Sequence, residues 1–337
     1  MVRQKRPPSM VDVGALSGVS HQTVSRVLNN HKNVRESTRT KVLAAMSELG
    51  YKPNLAARAL SNGRTTTIGV LGYNTTLYGP ASTLHAIQSS ARSFGYAVTL
   101  TFLKSVDSEL ISMGIAELID SGVDGIVIIA PLLKGVALPK NLSSVVPFVI
   151  VEGEDIEGFL SVNIDNFLGA KLAVEYLIDL GHEKIAHISG PPTWFEGKRR
   201  KAGWSKALKD AKFKEVICIE GDWSALSGYN AMKDIVKKSD ATAVFIANDA
   251  MSLGALKALS ELKIRVPDDM SIVGFDDIPE AEYLIPGLTT IRQDFEEVGR
   301  CALEILIARI NGEEVAKMSI AIRPEMIIRE STSQPTH

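Results

Sequence analysis

From residue 67 onward, short apolar runs and amphipathic stretches take turns, and this alternation limits the fold more than any other feature of the chain. Runs at 68–71, 98–102, 125–129 and 147–151 read as strands. Between them, 82–94 and 108–119 carry apolar residues at helical spacing, with Leu84, Ile87 and Ala91 on one side of the first. A second series follows, with helices at 169–180, 198–211, 225–236 and 252–262 and strands at 185–189, 216–220, 243–247 and 271–275. Strands separated by helices form parallel sheets covered on both faces, so the expected class is α/β. Two similar series in tandem predict two lobes facing each other. Helix 295–310 and strand 320–328 find no room in a filled second lobe and are predicted to return to the first. The lobes would then be joined by crossings near 161–165, 288–291 and 318–324, a hinge over a cleft where both sheets present the carboxyl ends of their strands.

Residues 9–63 follow a different pattern. Ser9 followed by Asp12 is a capping-box start, with Val13 and Leu16 on one face of the helix it opens. Gly18 breaks that helix and Ser20 caps a second, in which Val24, Val27 and Leu28 point inward and His21, Gln22, Ser25 and Arg26 point out. A third helix, from about residue 35 to Gly50, adds Val42, Ala45, Met46 and Leu49 as the lid of a small core. This is a helix-turn-helix with hydrogen-bonding groups on its exposed face. After Pro53, a helix from Asn54 to Gly63 is too short to persist alone in water, so it is either permanently packed or folds on binding.

Charge separates the two parts. Residues 1–64 hold 11 Lys or Arg against 3 Asp or Glu, formally +8, which leaves −10 for the rest of a chain of net charge −2. A basic head on an acidic body predicts salt-sensitive binding to a polyanion, with Arg3, Lys5 and Arg6 of the leading arm as candidate phosphate contacts. At 337 residues the chain exceeds what one core serves. No apolar stretch reaches membrane-spanning length and the first residues lack the apolar core of a signal peptide, so a cytoplasmic protein is expected. Cys218 and Cys301 suit reduced, mostly buried thiols.

The sequence resembles the LacI/GalR family of bacterial transcription regulators over essentially its whole length. The resemblance rests on Gln22-Thr23-Val24-Ser25-Arg26-Val27, Tyr51-Lys52-Pro53-Asn54, Glu220-Gly221-Asp222-Trp223-Ser224-Ala225, Ala247-Asn248-Asp249 and Leu288-Thr289-Thr290-Ile291-Arg292-Gln293-Asp294-Phe295. It implies a lambda-repressor-like helix-turn-helix domain (1–53), a hinge helix and linker (54–64) and a periplasmic-binding-protein-like core with parallel sheets. Residues 65–163 and 291–325 would form its N-terminal lobe, 164–290 its C-terminal lobe and 326–337 a strand end and polar tail. It also implies a homodimer on a pseudo-palindromic operator in double-stranded DNA, with no membrane partner and no cofactor or metal.

Residue by residue, the resemblance assigns DNA contacts to His21, Gln22, Thr23, Ser25, Arg26, Asn29, Asn54, Ala57 and Leu60. Gln22 suits adenine and Arg26 the O6 and N7 acceptors of guanine; Thr23, Ser25 and Asn29 could hold phosphates or simply cap and face solvent; Leu60 would wedge between base pairs from the minor groove. In the cleft, Trp223 would cover the apolar face of a sugar, or pack its own loop. Arg200, Asn248 and Asp276 offer hydrogen bonds to vicinal hydroxyls, although Asp276 could instead cap a turn. Leu77, Pro80 and Thr83 would form the first-lobe wall, and Gln293 and Phe295 lie on the returning segment. Galactoside-responsive members carry histidine where this chain has Tyr78, serine at Ala81 and Glu196, and aspartate at Glu152.

The function expected is therefore a sequence-specific repressor relieved by a small sugar, a galactoside or a related glycoside, with control by a co-repressor as the nearer alternative. A sugar-binding or glycoside-processing protein is the alternative from another class. No dinucleotide glycine fingerprint or phosphate loop is present, and His85, His182 and His187 read as surface or packing residues, so no catalytic residue is assigned. The short polar tail stands where one member of the family carries an extra leucine-rich tetramerisation helix, so a dimer is expected.

Overall fold

The structure, a computed structural model, describes residues 6, 8–28, 31–52, 63–73, 76–130, 145–153, 159–315 and 319–336. The chain divides into two compact units, Met1–Thr65 and Thr66–His337.

In the first unit, α1 (Met10–Ser17), α2 (His21–Leu28) and α3 (Glu36–Leu49) enclose Val13, Val24, Val27, Val42 and Ala45. The Ser9 capping box is complete: the Asp12 amide donates to Ser9 Oγ at 3.4 Å and the Ser9 amide to the Asp12 carboxylate at 2.8 Å. Arg6, one of the expected phosphate contacts, donates to the same carboxylate at 3.0 Å. Gly18 ends α1 at φ 70°, a left-handed conformation that would strain a side chain. Leu16 departs from expectation, for it is 45% exposed while Val13 is fully buried. The buried stripe of α1 runs through Met10, Val13 and Gly14, and Leu16 falls roughly 110° from its centre at 100° per residue.

The second unit contains two parallel sheets. Lobe 1 carries β1 (Thr67–Tyr73), β2 (Ala97–Leu103), β3 (Gly125–Ile129), β4 (Phe148–Val151) and β5 (Leu160–Ile164), with α4 (Tyr78–Ser93) and α5 (Ser108–Asp120) between the early strands. Lobe 2 carries α6 (Asn166–Asp179), β6 (Ile185–Ser189), α7 (Phe195–Asp210), β7 (Cys218–Glu220), α8 (Ala225–Lys238), β8 (Ala243–Ile246), α9 (Asp249–Glu261) and β9 (Ser271–Val273). Its strand order is β7-β6-β8-β9, all parallel. The chain then makes β10 (Thr290–Arg292), α10 (Phe295–Ile310), β11 (Ser319–Ile322) and β12 (Glu325–Ile327). Helix α10 packs on α4 and on β3, β4 and β5, and β11 pairs with β5 to complete a lobe 1 sheet of order β11-β5-β4-β3-β1-β2.

Two sequence expectations change. Residues 161–165, expected as a crossing, lie almost entirely in β5, a strand absent from the expected set. Ser161 and Asn163 alternate with Leu160, Val162 and Ile164 as on a half-exposed surface, yet all five are buried because β4 and β11 flank them. The single strand expected at 320–328 is two. Pro324, which has no amide to give a ladder, separates β11 from β12, and β12 turns to pair antiparallel with β10.

The polar tail is held. Ser331 is fully buried: its carbonyl accepts the Ile272 amide at 2.8 Å and its hydroxyl donates to the Ile272 carbonyl at 2.6 Å, along β9. His182 bonds the Ser333 carbonyl at 2.9 Å, and His187 stacks on Phe245 at 4.8 Å, so both are packing residues. Among the described residues no helix is long and apolar enough to cross a membrane, and both cysteines are free thiols.

Candidate functional site

Helix α2 presents His21, Gln22 and Arg26 to solvent, with Thr23 and Ser25 partly exposed. Thr23 is already committed to the helix start: its amide donates to Ser20 Oγ at 3.2 Å and its hydroxyl lies 3.0 Å from the same atom. No internal bond to the side chains of Gln22 or Arg26 appears among the described residues, so their donors face outward. Asn29, Asn54, Ala57 and Leu60 lie outside the described residues.

In the second unit, a cavity of about 50 Å³ lies between the lobes. All twelve sequence-assigned cleft residues line it. Leu77 and the first turns of α4 bring Tyr78, Pro80 and Thr83 from lobe 1, and Glu152 follows β4 at φ 64°. Thr83 Oγ1 donates to Glu152 Oε1 at 2.7 Å. Gln293 and Phe295 close the cavity from the segment between β10 and α10, with the Phe295 ring edge-on to Tyr78 at 5.9 Å.

Lobe 2 supplies the charged centre. Arg200 of α7 is 4% exposed; its Nε donates to Asn166 Oδ1 at 2.7 Å, and Nη1 donates to the Ala247 carbonyl and lies 3.5 Å from Asp276 Oδ1. The guanidinium stacks 3.7 Å above the Phe275 ring and lies 5.6 Å from Trp223. Burial pushes the Asp276 carboxyl up from its ordinary range, while Arg200 opposes that shift and Gln293 Nε2 donates to it at 2.7 Å. Asp276 sits just past β9 at φ 124°, a conformation unusual for a residue with a side chain.

Trp223 lies on the β7–α8 loop at φ 73° and 5% exposure. Its ring presses on Gly190, where an added Cβ would come within 2.1 Å of the indole; the Gly190 hydrogen makes room for the tryptophan. Asn248 caps α9, accepting the Met251 amide at 2.9 Å, and its Nδ2 donates to the Trp223 carbonyl at 3.2 Å. The side chain expected to meet hydroxyls thus also fastens the tryptophan loop. Ala81, noted in the sequence as a departure, is exposed and does not line the cavity.

Sequence reasoning missed Trp194 and Asn166. Trp194 precedes α7 and packs edge-on to Trp223 at 5.8 Å, which gives the cavity a second indole. A Pro-Pro-Thr-Trp turn just after a strand was the available signal. Asn166 starts α6 immediately after β5, so overlooking that strand hid it.

Two family models match the chain: bacterial regulatory proteins of the lacI family over residues 9–54, and a periplasmic binding protein-like domain over 174–332. The lactose operon repressor of Escherichia coli K12 is 34% identical over 332 residues, covering 98% of this chain and 92% of that protein. The transcriptional repressor PurR of Proteus mirabilis is 35% identical over 334 residues, covering 96% of each. Among solved structures, the lac repressor dimer bound to operator and the anti-inducer ONPF has a TM-score of 0.88 at 33% identity, over 97% of this chain and 100% of that one. The CelR–cellobiose complex gives 0.71 at 31%, over 96% and 99%. With its outward-facing α2 and its two-lobed cleft on one chain, and relatives matching along nearly all its length, this protein belongs to the lacI family of bacterial DNA-binding transcription regulators.

Proposed function

We propose that this regulator represses transcription as a homodimer on a pseudo-palindromic operator, and that a small sugar, in the first instance a galactoside, releases it. The observation that carries the reading is the convergence of Arg200, Asp276 and Asn248 beneath Trp223 in one cavity between two lobes. Planar hydrogen-bonding groups under a flat apolar ring suit a pyranose, whose faces are apolar and whose rim is hydroxylated. In the DNA-reading unit, Gln22 and Arg26 are assigned to base edges, His21 to an adjoining base, and Thr23, Ser25 and Asn29 to phosphates. Asn54, Ala57 and Leu60 are assigned to the minor groove. Solved relatives carry ONPG in the lac repressor, cellobiose in CelR and ribose in an Enterococcus faecium family member. Glu152 and Glu196 favour a second reading within the same class, a glycoside other than a galactoside.

Release follows if the lobe arrangement that grips sugar disfavours operator binding, and the two ligands then oppose each other by one coupling free energy. The test is operator anisotropy at one fixed salt concentration, titrated with a panel of sugars. A galactoside should raise the apparent Kd for operator, and Asp276→Ala should abolish that response. Operator affinity untouched by every sugar, or tightened by one, would overturn the induction reading.

A further inference from the structure

Helix α7 turns two unlike faces to its surroundings. Arg200, Gly203, Trp204, Ala207 and Leu208 recur three and four residues apart and are buried against the rest of lobe 2. Between them Lys198, Arg199, Lys201, Lys206 and Lys209 are exposed, a stripe about 16 Å long at 1.5 Å per residue, and exposed Lys212 and Lys214 follow the helix. Residues 198–214 hold 8 Lys or Arg against one acid, Asp210, so they are formally +7 inside a region, 65–337, whose net charge is −10. Asp210 is taken by Lys206 and lies 4.0 Å from Lys171 of α6, which brings one more cation to the edge of the stripe. The ammonium groups of Lys201, Lys209, Lys212 and Lys214 have no hydrogen bond or ion pair among the described residues.

The chemistry of the stripe selects its partner. A tight protein interface needs aromatic or apolar anchors, and between the cations this face offers only exposed Ala202 and half-buried Ser205. Single-stranded nucleic acid needs aromatic rings to stack on, but Phe167 lies beneath Arg199 and Phe213 packs into the lobe 2 core. A helix that lies in a lipid surface sinks its apolar side into it, whereas Trp204 and Leu208 are spent inside the protein. What is left is a row of point charges, six of the seven exposed cations being lysines, and that suits evenly spaced phosphates. The acids elsewhere on the body do not cancel it, because fields decay over about 8 Å at physiological ionic strength and a phosphate at the stripe meets mainly lysines. We infer that the outer face of α7 is a second, sequence-independent surface for double-stranded DNA, carried by the ligand-binding body and separate from the base-reading helix α2. The inference does not depend on which effector the cleft binds.

The test is fluorescence anisotropy of the full-length protein with a random-sequence duplex that holds no operator, from about 50 to 200 mM KCl. The comparison is a variant carrying Lys201→Gln, Lys209→Gln and Lys214→Gln together, none of which lines the cleft. Each lysine that meets a phosphate contributes about 0.9 to the slope of log affinity against log salt, so the variant's slope should be shallower by up to about 2.7, with at least about tenfold weaker binding at the lowest salt. Thermal melting should match the parent, and a binding-site selection should return the parent's sequence preference, since α2 is untouched. An unchanged slope and affinity overturns the inference, and so does a slope lost together with the sequence preference, which would trace the effect to the head. The same two proteins are sedimented with vesicles of equal phosphatidylglycerol and phosphatidylcholine and titrated with polyglutamate. A loss confined to either probe, with duplex binding intact, also overturns the inference, because the face would then serve a membrane or an acidic protein.

Discussion

Helix α2 and the interlobe cavity, the two recognition sites proposed above, both gather polar side chains, yet they hold them in opposite ways. On α2, Gln22 and Arg26 stand in solvent. In the cavity, Arg200, Asn248 and Asp276 are each more than 90% buried and each is already bonded within the protein. The difference teaches that a surface site can be changed with little effect on folding, whereas a buried site shares its residues with the scaffold. On the proposed reading, recognition at α2 would draw its energy from groups that water satisfies in the free state, and recognition in the cavity from an arrangement that the fold has already ordered and desolvated.

The sharpest break of this contrast is a pair of arginine substitutions. Arg200→Ala leaves Asp276 buried without its cation and should cost about 3–5 kcal/mol of stability, measured by chemical denaturation followed through tryptophan fluorescence. Arg26→Ala should change stability by no more than about 0.5 kcal/mol. It should instead weaken specific operator binding by about 1–3 kcal/mol, and a binding-site selection should lose its preference at one base pair. Comparable stability losses in the two variants would erase the distinction between the sites.

A pH series sharpens it further. Glu196 is protonated in the folded protein up to about 8 but ionises at ordinary carboxylate pH once unfolded. Between those values the folded state binds the extra proton, so stability should fall as pH rises, by at most about 1.4 kcal/mol per pH unit for this one group. E196Q should flatten the slope, and an equal slope in the variant would remove Glu196 as its source. The smallest expected effect lies in the DNA-reading unit: Ser9→Ala, which breaks the capping box, should cost about 1 kcal/mol of that unit's stability while leaving the cavity's sugar affinity unchanged.

The contrast also explains what could be read in the sequence. The head was legible because its signals are local: Ser9 with Asp12, Gly18 at its turn, and Val24 with Val27 at helical spacing decide their own short stretch. Leu16 failed because an eight-residue helix has a narrow buried stripe, and apolar character does not say on which side of it a residue falls. In the core, runs such as 125–129 declared themselves by being apolar throughout, whereas β5 was hidden because its burial comes from β4 and β11, strands that the chain reaches before and about 155 residues after it. The cavity lining was legible through family motifs, since residues as distant as Thr83 and Gln293 share no local pattern. The motifs did not tell that Asn248 fastens the Trp223 loop or that Arg200 leans on Asn166, for those are facts of packing.

The docked tail has a consequence for how the molecule is made. Strand β9 gets its outer partners from Thr289 and, for Ile272, from Ser331 near the end of the chain, and the lobe 1 sheet gains β11 only from residues 319–322. A chain growing on the ribosome therefore exposes an unpaired edge on each lobe until almost all of it has emerged, and neither lobe can close on its own sequence-contiguous half. The head faces no such delay, because its three helices are complete by residue 49. Synthesis should thus yield a folded DNA-reading unit well before the body that controls it, with both sheet edges open to mispairing in the interval.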